Sequence, residues 1–295
     1  MKVEDVVIIG CGPAGAAAAI QLFRSGITPV VFEKENIGGL LRNANLVENY
    51  PGFPGGIKGV DLVDLIKKQL EIVGVKTQNS EVLSLDYKRG LFLTKTKMGI
   101  TKSRFAVIAS GTKPRTMPGV DIADTASKYI FSEAYPLFGV SKKRIVIIGA
   151  GDAAFDYALN LSQKNEVTIL NRSDKTKCLP LLAERCAGVG AIKYLENHRV
   201  KAVRTKKGGV EITAFDVTLN KEVLFHSDYL VTAIGREPNI DFLETGLTKK
   251  INPLKKDSGL FIIGDVINGI FRQTTISVGD GVRAAMEIYG YLFHD

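Results

Sequence analysis

Two glycine-rich turns are the parts of this chain whose residue types and spacing point most directly to chemistry. The first turn is Gly10-Cys11-Gly12-Pro13-Ala14-Gly15, and the second is Gly149-Ala150-Gly151-Asp152-Ala153-Ala154. In such a turn the first glycine permits a tight bend, and the second lets a pyrophosphate approach the backbone. The third small residue lets the helix and strand pack closely. A helix that begins there directs its free N–H groups and positive dipole end at the phosphates.

Each turn lies in the same predicted setting, between an apolar strand and a helix that leads to a second strand. A later apolar strand follows each unit and ends in glycine, at Gly111 and Gly235. One Gly-x-Gly-x-x-Gly is a weak signal, but two in strand–turn–helix–strand context are a strong one. The predicted elements are strands at 5–9, 29–32, 144–148 and 167–170, with helices at 14–25 and from the second turn to about 162.

Composition allows two ordinary domains. The chain has 295 residues, of which 45% are hydrophobic and 24% charged, and this balance is typical of a folded protein. No apolar run approaches the length that crosses a bilayer, so we expect no membrane partner. The three cysteines are scattered, which favours a reducing cytoplasm over a disulfide framework.

The net charge of +8 fits either solvated lysines or an acidic partner. Nucleic acid is not expected, because the basic clusters are short, separated and not interleaved with aromatic residues.

The residues after the second strand of each unit predict which nucleotide binds there. Glu33 can accept hydrogen bonds from a ribose with free hydroxyls, as in FAD or NAD. In the second unit Asn171 replaces the acid, and the cations Arg172, Lys175 and Lys177 follow it. Cations suit a 2′-phosphate, so we expect NADPH at this site, with NADH as the alternative.

Several further segments carry a family resemblance that covers nearly the whole chain. With them, the chain resembles low-molecular-weight thioredoxin reductase-type flavoproteins, members of the pyridine nucleotide-disulfide oxidoreductase superfamily. The segments are the two glycine turns, Gly38-Gly39, residues 47–53, 111–115, 234–239 and 259–265, and Arg272-Gln273.

The resemblance implies an α/β fold with two Rossmann-like dinucleotide-binding domains, the second inserted into the first. An FAD-binding domain would comprise residues 1–113 and 239–295, and an NAD(P)H-binding domain residues 117–236. Proteins of this type are usually homodimers, so a homodimer is expected. Near the end of the chain, a helix is predicted from about Gly279 to Tyr291.

The resemblance also implies the cofactor-binding residues. For FAD these are Gly10, Gly12, Pro13, Ala14, Gly15, Glu33, Lys34, Gly39, Leu40, Asn49, Gly111, Gly264, Asp265, Arg272, Gln273 and Thr274. For NADPH they are Gly149, Gly151, Asp152, Ala153, Ala154, Asn171, Arg172, Lys175, Lys177, Gly235 and Arg236. Leu40 departs from the family pattern, which usually has Gln after Gly-Gly. No Ser-His-Asp set or metal cluster is apparent in the sequence, so no catalytic side chain and no metal is predicted.

The largest departure from the family concerns its redox dithiol. Thioredoxin reductases carry Cys-x-x-Cys just before the second glycine turn, whereas residues 128–139 here contain no cysteine. Cys178 and Cys186 follow that turn, eight positions apart in the sequence. We therefore expect no disulfide relay, and electrons that leave the reduced flavin directly.

The expected electron acceptor is a small acidic redox protein, ferredoxin or flavodoxin. Thioredoxin reductase-like ferredoxin–NADP reductases also lack the dithiol, and Asp156-Tyr157-Ala158 is similar to that branch. The positive net charge suits such a partner by electrostatic steering. The alternatives are reduction of a small molecule or dioxygen, and nucleotide binding without turnover. A true thioredoxin reductase is the least expected function.

Overall fold

The structure, a computed structural model, describes residues 2–248 and 259–293. Short 3-10 helices lie at Gly39–Asn43, Asp124–Tyr129, Tyr135–Leu137 and Gly264–Val266. In chain order the other elements are β1 (Val3–Ile9), α1 (Pro13–Arg24), β2 (Val30–Glu33), α2 (Gly59–Val73), β3 (Thr77–Asn79), β4 (Val82–Lys88), β5 (Leu91–Thr96), β6 (Gly99–Ile108), β7 (Thr112–Pro114), β8 (Asp121–Ile122), β9 (Ile130–Phe131), β10 (Arg144–Ile148), α3 (Asp152–Leu161), β11 (Glu166–Leu170), α4 (Pro180–Ala187), β12 (Ile192–Leu195), β13 (His198–Lys206), β14 (Gly209–Asp216), β15 (Lys221–Ser227), β16 (Tyr229–Thr232), β17 (Arg236–Pro238), α5 (Thr245–Thr248), β18 (Leu260–Ile262) and α6 (Thr274–Phe293).

The described residues form two compact units. Unit 1 contains the described residues within 1–42, 48–113 and 237–295, and unit 2 contains 43–47 and 114–236. The short segment 43–47 therefore groups with unit 2, although its neighbours in the chain belong to unit 1. The assignment of FAD to the first unit and NADPH to the second stays a prediction.

Unit 1 is built on a sheet with the strand order β3-β2-β1-β6-β5-β4. β1 pairs in parallel with β2 on one side and with β6 on the other. β18 pairs in parallel with the end of β6, while the hairpin of β4 and β5 extends the sheet in antiparallel fashion. The parallel strands bring their carboxyl ends to one edge, where nucleotides bind in open α/β sheets.

The central strand of unit 1 is buried on both faces. Val6 and Ile8 join a core cluster with α1 and α6, and Val7 and Ile9 join a second cluster with α5. Successive side chains of a strand point to opposite faces, so a strand covered on both sides is apolar throughout. This arrangement explains the continuous apolar run before the first glycine turn.

Unit 2 repeats the same parallel arrangement in a sheet with the strand order β12-β11-β10-β16-β9. β10 lies between β11 and β16, as β1 lies between β2 and β6. Ile145 and Ile147 pack with α3 and α4, and Val146 packs against a second, largely antiparallel sheet of β15, β14, β13 and β8. The predicted doubling of the α/β unit is confirmed.

The chain crosses between the units on two short strands, β7 and β17, which pair with each other. The Asn239 N–H donates to the Gly111 carbonyl at 3.0 Å, and the Ser110 hydroxyl donates to the Asn239 carbonyl at 2.6 Å. The Lys113 ammonium contacts the carboxylates of Glu237 and Asp241. The two connecting segments are therefore bonded to each other.

The fold class predicted from the sequence is confirmed as α/β with two dinucleotide-binding domains of similar architecture. α6 begins at Thr274, five residues before the predicted start at Gly279. Thr274, Thr275 and Ser277 are modest helix formers, so composition alone placed the start too late. Among residues 2–248 and 259–293, no helix is long and apolar enough to span a bilayer.

Candidate functional site

The first glycine turn has the geometry that a phosphate site requires. Gly10 has φ +97°, and a Cβ at this position would lie 2.4 Å from the Ala109 carbonyl oxygen, so only glycine fits. A Cβ at Gly12 would meet no protein atom within 4 Å. Gly12 is also the N-cap of α1. No side chain caps the first N–H groups of this helix. The turn therefore leaves both space and N–H donors for a pyrophosphate.

Glu33 is held beside this turn by backbone hydrogen bonds. Its Oε2 accepts the N–H of Cys11 at 2.8 Å, and its Oε1 accepts the N–H of Glu35 at 3.0 Å. A carboxylate can accept about four hydrogen bonds, so capacity remains for the hydroxyls of a ribose. The neighbouring Lys34 is exposed, with its ammonium 3.6 Å from the Glu35 carboxylate.

The Gly38-Gly39 segment lies against the first turn. The Gly38 N–H donates to the Cys11 carbonyl at 2.8 Å, and a Cβ at Gly39 would lie 3.4 Å from the Gly12 Cα. Arg42 donates from Nε to the Gly39 carbonyl at 2.8 Å. Gly39 and Leu40 are thus placed next to the phosphate turn, where the resemblance predicted a flavin contact.

Residues far apart in the sequence meet on the same unit. The Asn49 amide donates to Gln273 Oε1 at 2.8 Å, which joins two of the predicted flavin-binding residues. Arg272 precedes Gln273, and Thr274 begins α6. A Cβ at Gly264 would lie 2.8 Å from the Ala14 Cβ, so the Gly264-Asp265 turn lies at the start of α1.

Two polar residues of α6 were not predicted. The Ser277 hydroxyl donates to Asp265 Oδ1 at 3.1 Å. Asp280 Oδ2 accepts the Gly264 N–H at 3.2 Å and the Asn268 amide at 2.6 Å. These bonds hold the turn that carries Asp265. The available signal for Asp280 was its place between two glycines in a largely apolar helix. Ser277 was missed because the predicted helix began after it.

The second glycine turn has the same openness as the first. A Cβ at Gly151 would meet no protein atom within 4 Å, whereas one at Gly149 would lie 2.3 Å from the Ala233 carbonyl oxygen. α3 begins at Asp152 and continues through Ala153 and Ala154, and Gly151 provides no side-chain cap. Asp152 Oδ1 accepts the Leu179 N–H at 2.7 Å, so this carboxylate is bonded to the loop that follows β11.

The loop from 171 to 179 carries the predicted 2′-phosphate cations and lies across the second turn. The Lys177 N–H donates to the Ala150 carbonyl at 2.8 Å. Arg172, Lys175 and Lys177 are exposed, as cations that receive a ligand phosphate must be.

Asn171 has a different position from these cations. It is only 4% exposed, and its amide bonds within the protein. The Oδ1 atom accepts the Ser173 N–H at 3.2 Å, and Nδ2 donates to the Lys175 carbonyl at 3.0 Å and the Tyr194 hydroxyl at 2.8 Å. The structure thus shows that Asn171 contacts the loop, and its role in NADPH binding stays a prediction.

Gly235 and Arg236 lie at the end of β16 and the start of β17. The Arg236 guanidinium is 3.9 Å from Glu133 Oε1, and the Glu133 Oε2 accepts the Asn43 amide at 3.1 Å. The role of both residues in NADPH binding stays a prediction.

Asp156 lies in unit 2 as a largely buried carboxylate. Burial raises its pKa to about 6, although hydrogen bonds from the N–H groups of Asn45 and Leu46 act in the opposite direction. The bond from Asn45 measures 2.9 Å. Asp156 therefore contacts the segment 43–47. The resemblance of residues 156–158 to ferredoxin–NADP reductases did not suggest this contact.

The three cysteines are free thiols. Burial raises the pKa of Cys11 to about 12, and the Glu33 carboxylate adds to this shift. Burial also raises the pKa of Cys186 to about 11. Both thiols are therefore protonated near neutral pH and poor nucleophiles, whereas Cys178 is partly exposed.

Comparison with known proteins places the whole chain in one family. The family described as pyridine nucleotide-disulphide oxidoreductase matches residues 4–281. Thioredoxin reductase of Neurospora crassa is 31% identical, with 98% of this chain and 93% of that protein covered. The Streptomyces clavuligerus enzyme of the same name is 28% identical, with 98% and 94% covered. The bifunctional thioredoxin reductase/thioredoxin of Mycobacterium leprae (strain TN) is 29% identical over 98% of this chain, which spans 66% of that protein.

A solved structure supports the same placement. Thioredoxin reductase of T. acidophilum superimposes with a TM-score of 0.85 at 28% identity, and 99% of each chain is covered. The predicted enzyme class, a flavin-dependent NAD(P)H oxidoreductase of thioredoxin reductase type, is confirmed, as are the cofactors of the family, FAD and NADPH.

The predicted electron acceptor is wrong. Relatives that match nearly the full chain at 27–31% identity are named thioredoxin reductases, so neither ferredoxin nor flavodoxin is supported as partner. The low rank given to a thioredoxin reductase is overturned with it, whereas the absence of a redox Cys-x-x-Cys stays a prediction. The error arose because one segment without cysteine was weighed above the likeness of the whole chain, and because a positive charge steers any acidic partner.

The expected homodimer stays a prediction.

With its two glycine turns, its doubled parallel sheet and a match from residue 4 to residue 281, this chain belongs to the pyridine nucleotide-disulphide oxidoreductase family.

Proposed function

We propose that this chain is an FAD-containing enzyme that uses NADPH to reduce a protein disulfide of the thioredoxin type. The observation that carries the proposal is the likeness to thioredoxin reductases over 98% of the chain. In the reaction, NADPH and one proton are consumed, the substrate S–S bond is broken, and NADP⁺ and two thiols are formed.

Unit 1 would hold the FAD. The open side of Gly12 and the N–H groups at the start of α1 would receive the pyrophosphate. Glu33 would accept the adenosine ribose hydroxyls, and Asp265 would accept hydroxyls of the ribityl chain. Asn49 and Gln273, which bond to each other, would lie along the ring. When bound, FAD accepts a hydride equivalent from NADPH and passes the electron pair on.

Unit 2 would hold the NADPH. Its Gly151 turn and the start of α3 would receive the pyrophosphate, as the equivalent elements do in unit 1. The exposed side chains of Arg172, Lys175 and Lys177 would bind the 2′-phosphate by charge-assisted hydrogen bonds.

We also propose that the chain is a family member without the redox Cys-x-x-Cys. Its cysteines are at 11, 178 and 186 only. Cys186 belongs to α4, which begins at Pro180. Cys178 and Cys186 are eight positions apart in the sequence, so they do not have the spacing of Cys-x-x-Cys. The cytoplasm, where thiols stay reduced, is the proposed location.

The proposal is tested by NADPH oxidation under anaerobic conditions with the FAD-loaded protein. We expect turnover with oxidised thioredoxin, with two thiols formed for each NADPH consumed, and little turnover without a disulfide. No thiol formation with oxidised thioredoxin would overturn the proposal.

A matched pair of glycine variants ties that activity to the first turn. Gly12→Val fills only the open side of the turn, so the fold tolerates it while FAD is excluded. Gly55→Val is the control, because a Cβ there also meets no protein atom within 4 Å and Gly55 is outside the predicted site. Gly12→Val should lose FAD and turnover, and Gly55→Val should keep both.

A further inference from the structure

We propose that Asn171 and Tyr194 are positioning residues that set the preference for a nucleotide with a 2′-phosphate. They would act by holding the loop that carries Arg172, Lys175 and Lys177. The inference rests on the proposed use of NADPH, and it assigns Asn171 an indirect role in NADPH binding, through the loop.

The side chain of Asn171 is occupied by the protein itself. An asparagine amide offers two N–H donors, and here they are used by the Lys175 carbonyl at 3.0 Å and the Tyr194 hydroxyl at 2.8 Å. The amide oxygen accepts the Ser173 N–H at 3.2 Å. Because the residue is 4% exposed, no donor of this side chain is left to reach a ribose in solution.

Asn171 and Tyr194, the two residues proposed to hold the loop, are themselves fixed by regular structure. Tyr194 lies on β12, opposite Ile169 of β11 in a parallel pair. The Asn171 backbone extends this pairing, since its N–H donates to the Leu195 carbonyl at 2.8 Å and its carbonyl accepts the His198 N–H at 2.8 Å. A side chain held by sheet strands can place a loop more accurately than the loop could place itself.

The bonds of Asn171 decide how the loop faces a ligand. The Lys175 carbonyl oxygen lies against the buried amide, so this partial negative charge is turned away from an incoming phosphate. The Ser173 hydroxyl contacts the Lys175 N–H at 3.4 Å, which makes the bend compact. Asp174, the acid between the cations, is exposed. Its carboxylate would repel a 2′-phosphate, so the bend must direct the cations, and not this carboxylate, at the ligand.

The far end of the loop is tied to the second glycine turn. The Lys177 N–H bonds to the Ala150 carbonyl and the Leu179 N–H to Asp152. With both ends bonded, the three cations are held next to the place where the adenosine phosphate would bind. Pre-ordering of the loop lowers the entropy cost of binding a 2′-phosphate.

The experiment compares two nucleotides that differ only in the 2′-phosphate. Binding of 2′,5′-ADP and of 5′-AMP to the FAD-loaded protein is measured by titration calorimetry. The variants are Asn171→Asp, which removes both donors, and Tyr194→Phe, which removes one hydroxyl without a change in charge. Asn220→Asp, at an exposed turn of unit 2, and Tyr129→Phe, outside the loop, are the matched controls.

We expect the protein to bind 2′,5′-ADP at least about tenfold tighter than 5′-AMP. Tyr194→Phe and Asn171→Asp should each lower that ratio by about three- to tenfold, while 5′-AMP affinity stays within about twofold. The controls should leave both affinities unchanged. Because Tyr194→Phe is neutral, it excludes a simple charge effect of the new carboxylate.

Three results would overturn the inference. An unchanged ratio in Tyr194→Phe would show that the hydroxyl does not position the loop. Equal loss of affinity for both nucleotides in Asn171→Asp, with Tyr194→Phe normal, would point to a direct contact of Asn171 with the ribose instead. A native protein without any preference would remove the 2′-phosphate site itself. A protein that keeps the preference but reduces no disulfide would contradict the proposed function and leave this inference standing.

Discussion

At the scale of single residues, two carboxylates show how environment decides what an acid does. Glu33 accepts two backbone N–H groups beside the first glycine turn and can still receive a ribose. Asp156 is buried in unit 2, where loss of solvent raises its pKa to about 6. Burial disfavours the charged form of an acid, so the ionised state of Asp156 weakens the folded unit near neutral pH.

Asp156 should make the stability of the protein depend on pH. Its pKa is about 6 when folded against an ordinary value of 3.8, so the folded state holds more protons than the unfolded state between these values. The stability that Asp156 contributes is therefore fully present below about pH 4 and is lost as the pH rises through about 6. Above that pH, this group causes no further change in the free energy of unfolding. The expected loss is on the order of 2–3 kcal/mol.

The measurement is denaturant unfolding of the native protein and of Asp156→Asn at pH 4 and pH 8. The variant should remove this part of the pH dependence, so that its stability relative to the native protein is higher at pH 8 than at pH 4. Asp124→Asn, at an exposed position of the same unit, is the control. Parallel pH curves for native protein and Asp156→Asn would contradict the assignment.

The positions of single residues were predictable where spacing alone determines them. The glycines of both turns and Glu33 follow from their distances to predicted strands. Asn171 was not predictable, because its burial depends on Tyr194, which comes from a strand further along the chain. A polar residue after a strand looks like a ligand contact until its own partners are known.

At the scale of elements, the close crossing of α1 and α6 supports the first glycine turn. A Cβ at Gly281 of α6 would lie 2.2 Å from the Ala14 carbonyl oxygen and 2.9 Å from the Ala18 nitrogen. Ala14, Ala18 and Ala285 are buried in the same core cluster. Small residues on both helices therefore bring them together at the start of α1, where the phosphate site is predicted.

Gly281→Ala should separate the two helices. The added methyl meets backbone atoms, which cannot move aside without a shift of α1, so we expect a loss of about 2–3 kcal/mol in the free energy of unfolding. Weaker FAD retention should accompany it. Thermal unfolding and the flavin content of the purified protein measure the two effects.

Gly279→Ala is the matched control in the same helix. A Cβ at Gly279 meets no atom within 4 Å, so the better helix former should raise stability by up to about 1 kcal/mol. If both alanine variants were equally stable and kept FAD, the close crossing would have no role at the site.

Elements were predictable where the pattern repeats. The apolar runs of β1 and β10 and their glycine turns predicted the doubled α/β unit, because strands buried on both faces must be apolar throughout. The grouping of 43–47 with unit 2 was not predictable, since it rests on hydrogen bonds to Asp156 and Glu133. Such contacts carry no periodic signal.

At the scale of the whole molecule, the family is clearer than the acceptor. The likeness to thioredoxin reductases extends over 98% of the chain, while the difference that led to ferredoxin is confined to residues 128–139. A net charge of +8 raises encounter rates with acidic proteins of any kind, so it cannot choose among them. The acceptor is a property of docking and redox chemistry, which neither composition nor fold specifies.

The most direct test of the proposed function is reoxidation of the flavin by a disulfide. The FAD-loaded protein is reduced with NADPH without oxygen and mixed with oxidised thioredoxin while the flavin absorbance is followed. Return of the oxidised flavin spectrum, with two new thiols for each flavin reoxidised, is the predicted result. A flavin that stays reduced with thioredoxin, yet is reoxidised at once by ferredoxin, would contradict the proposed function.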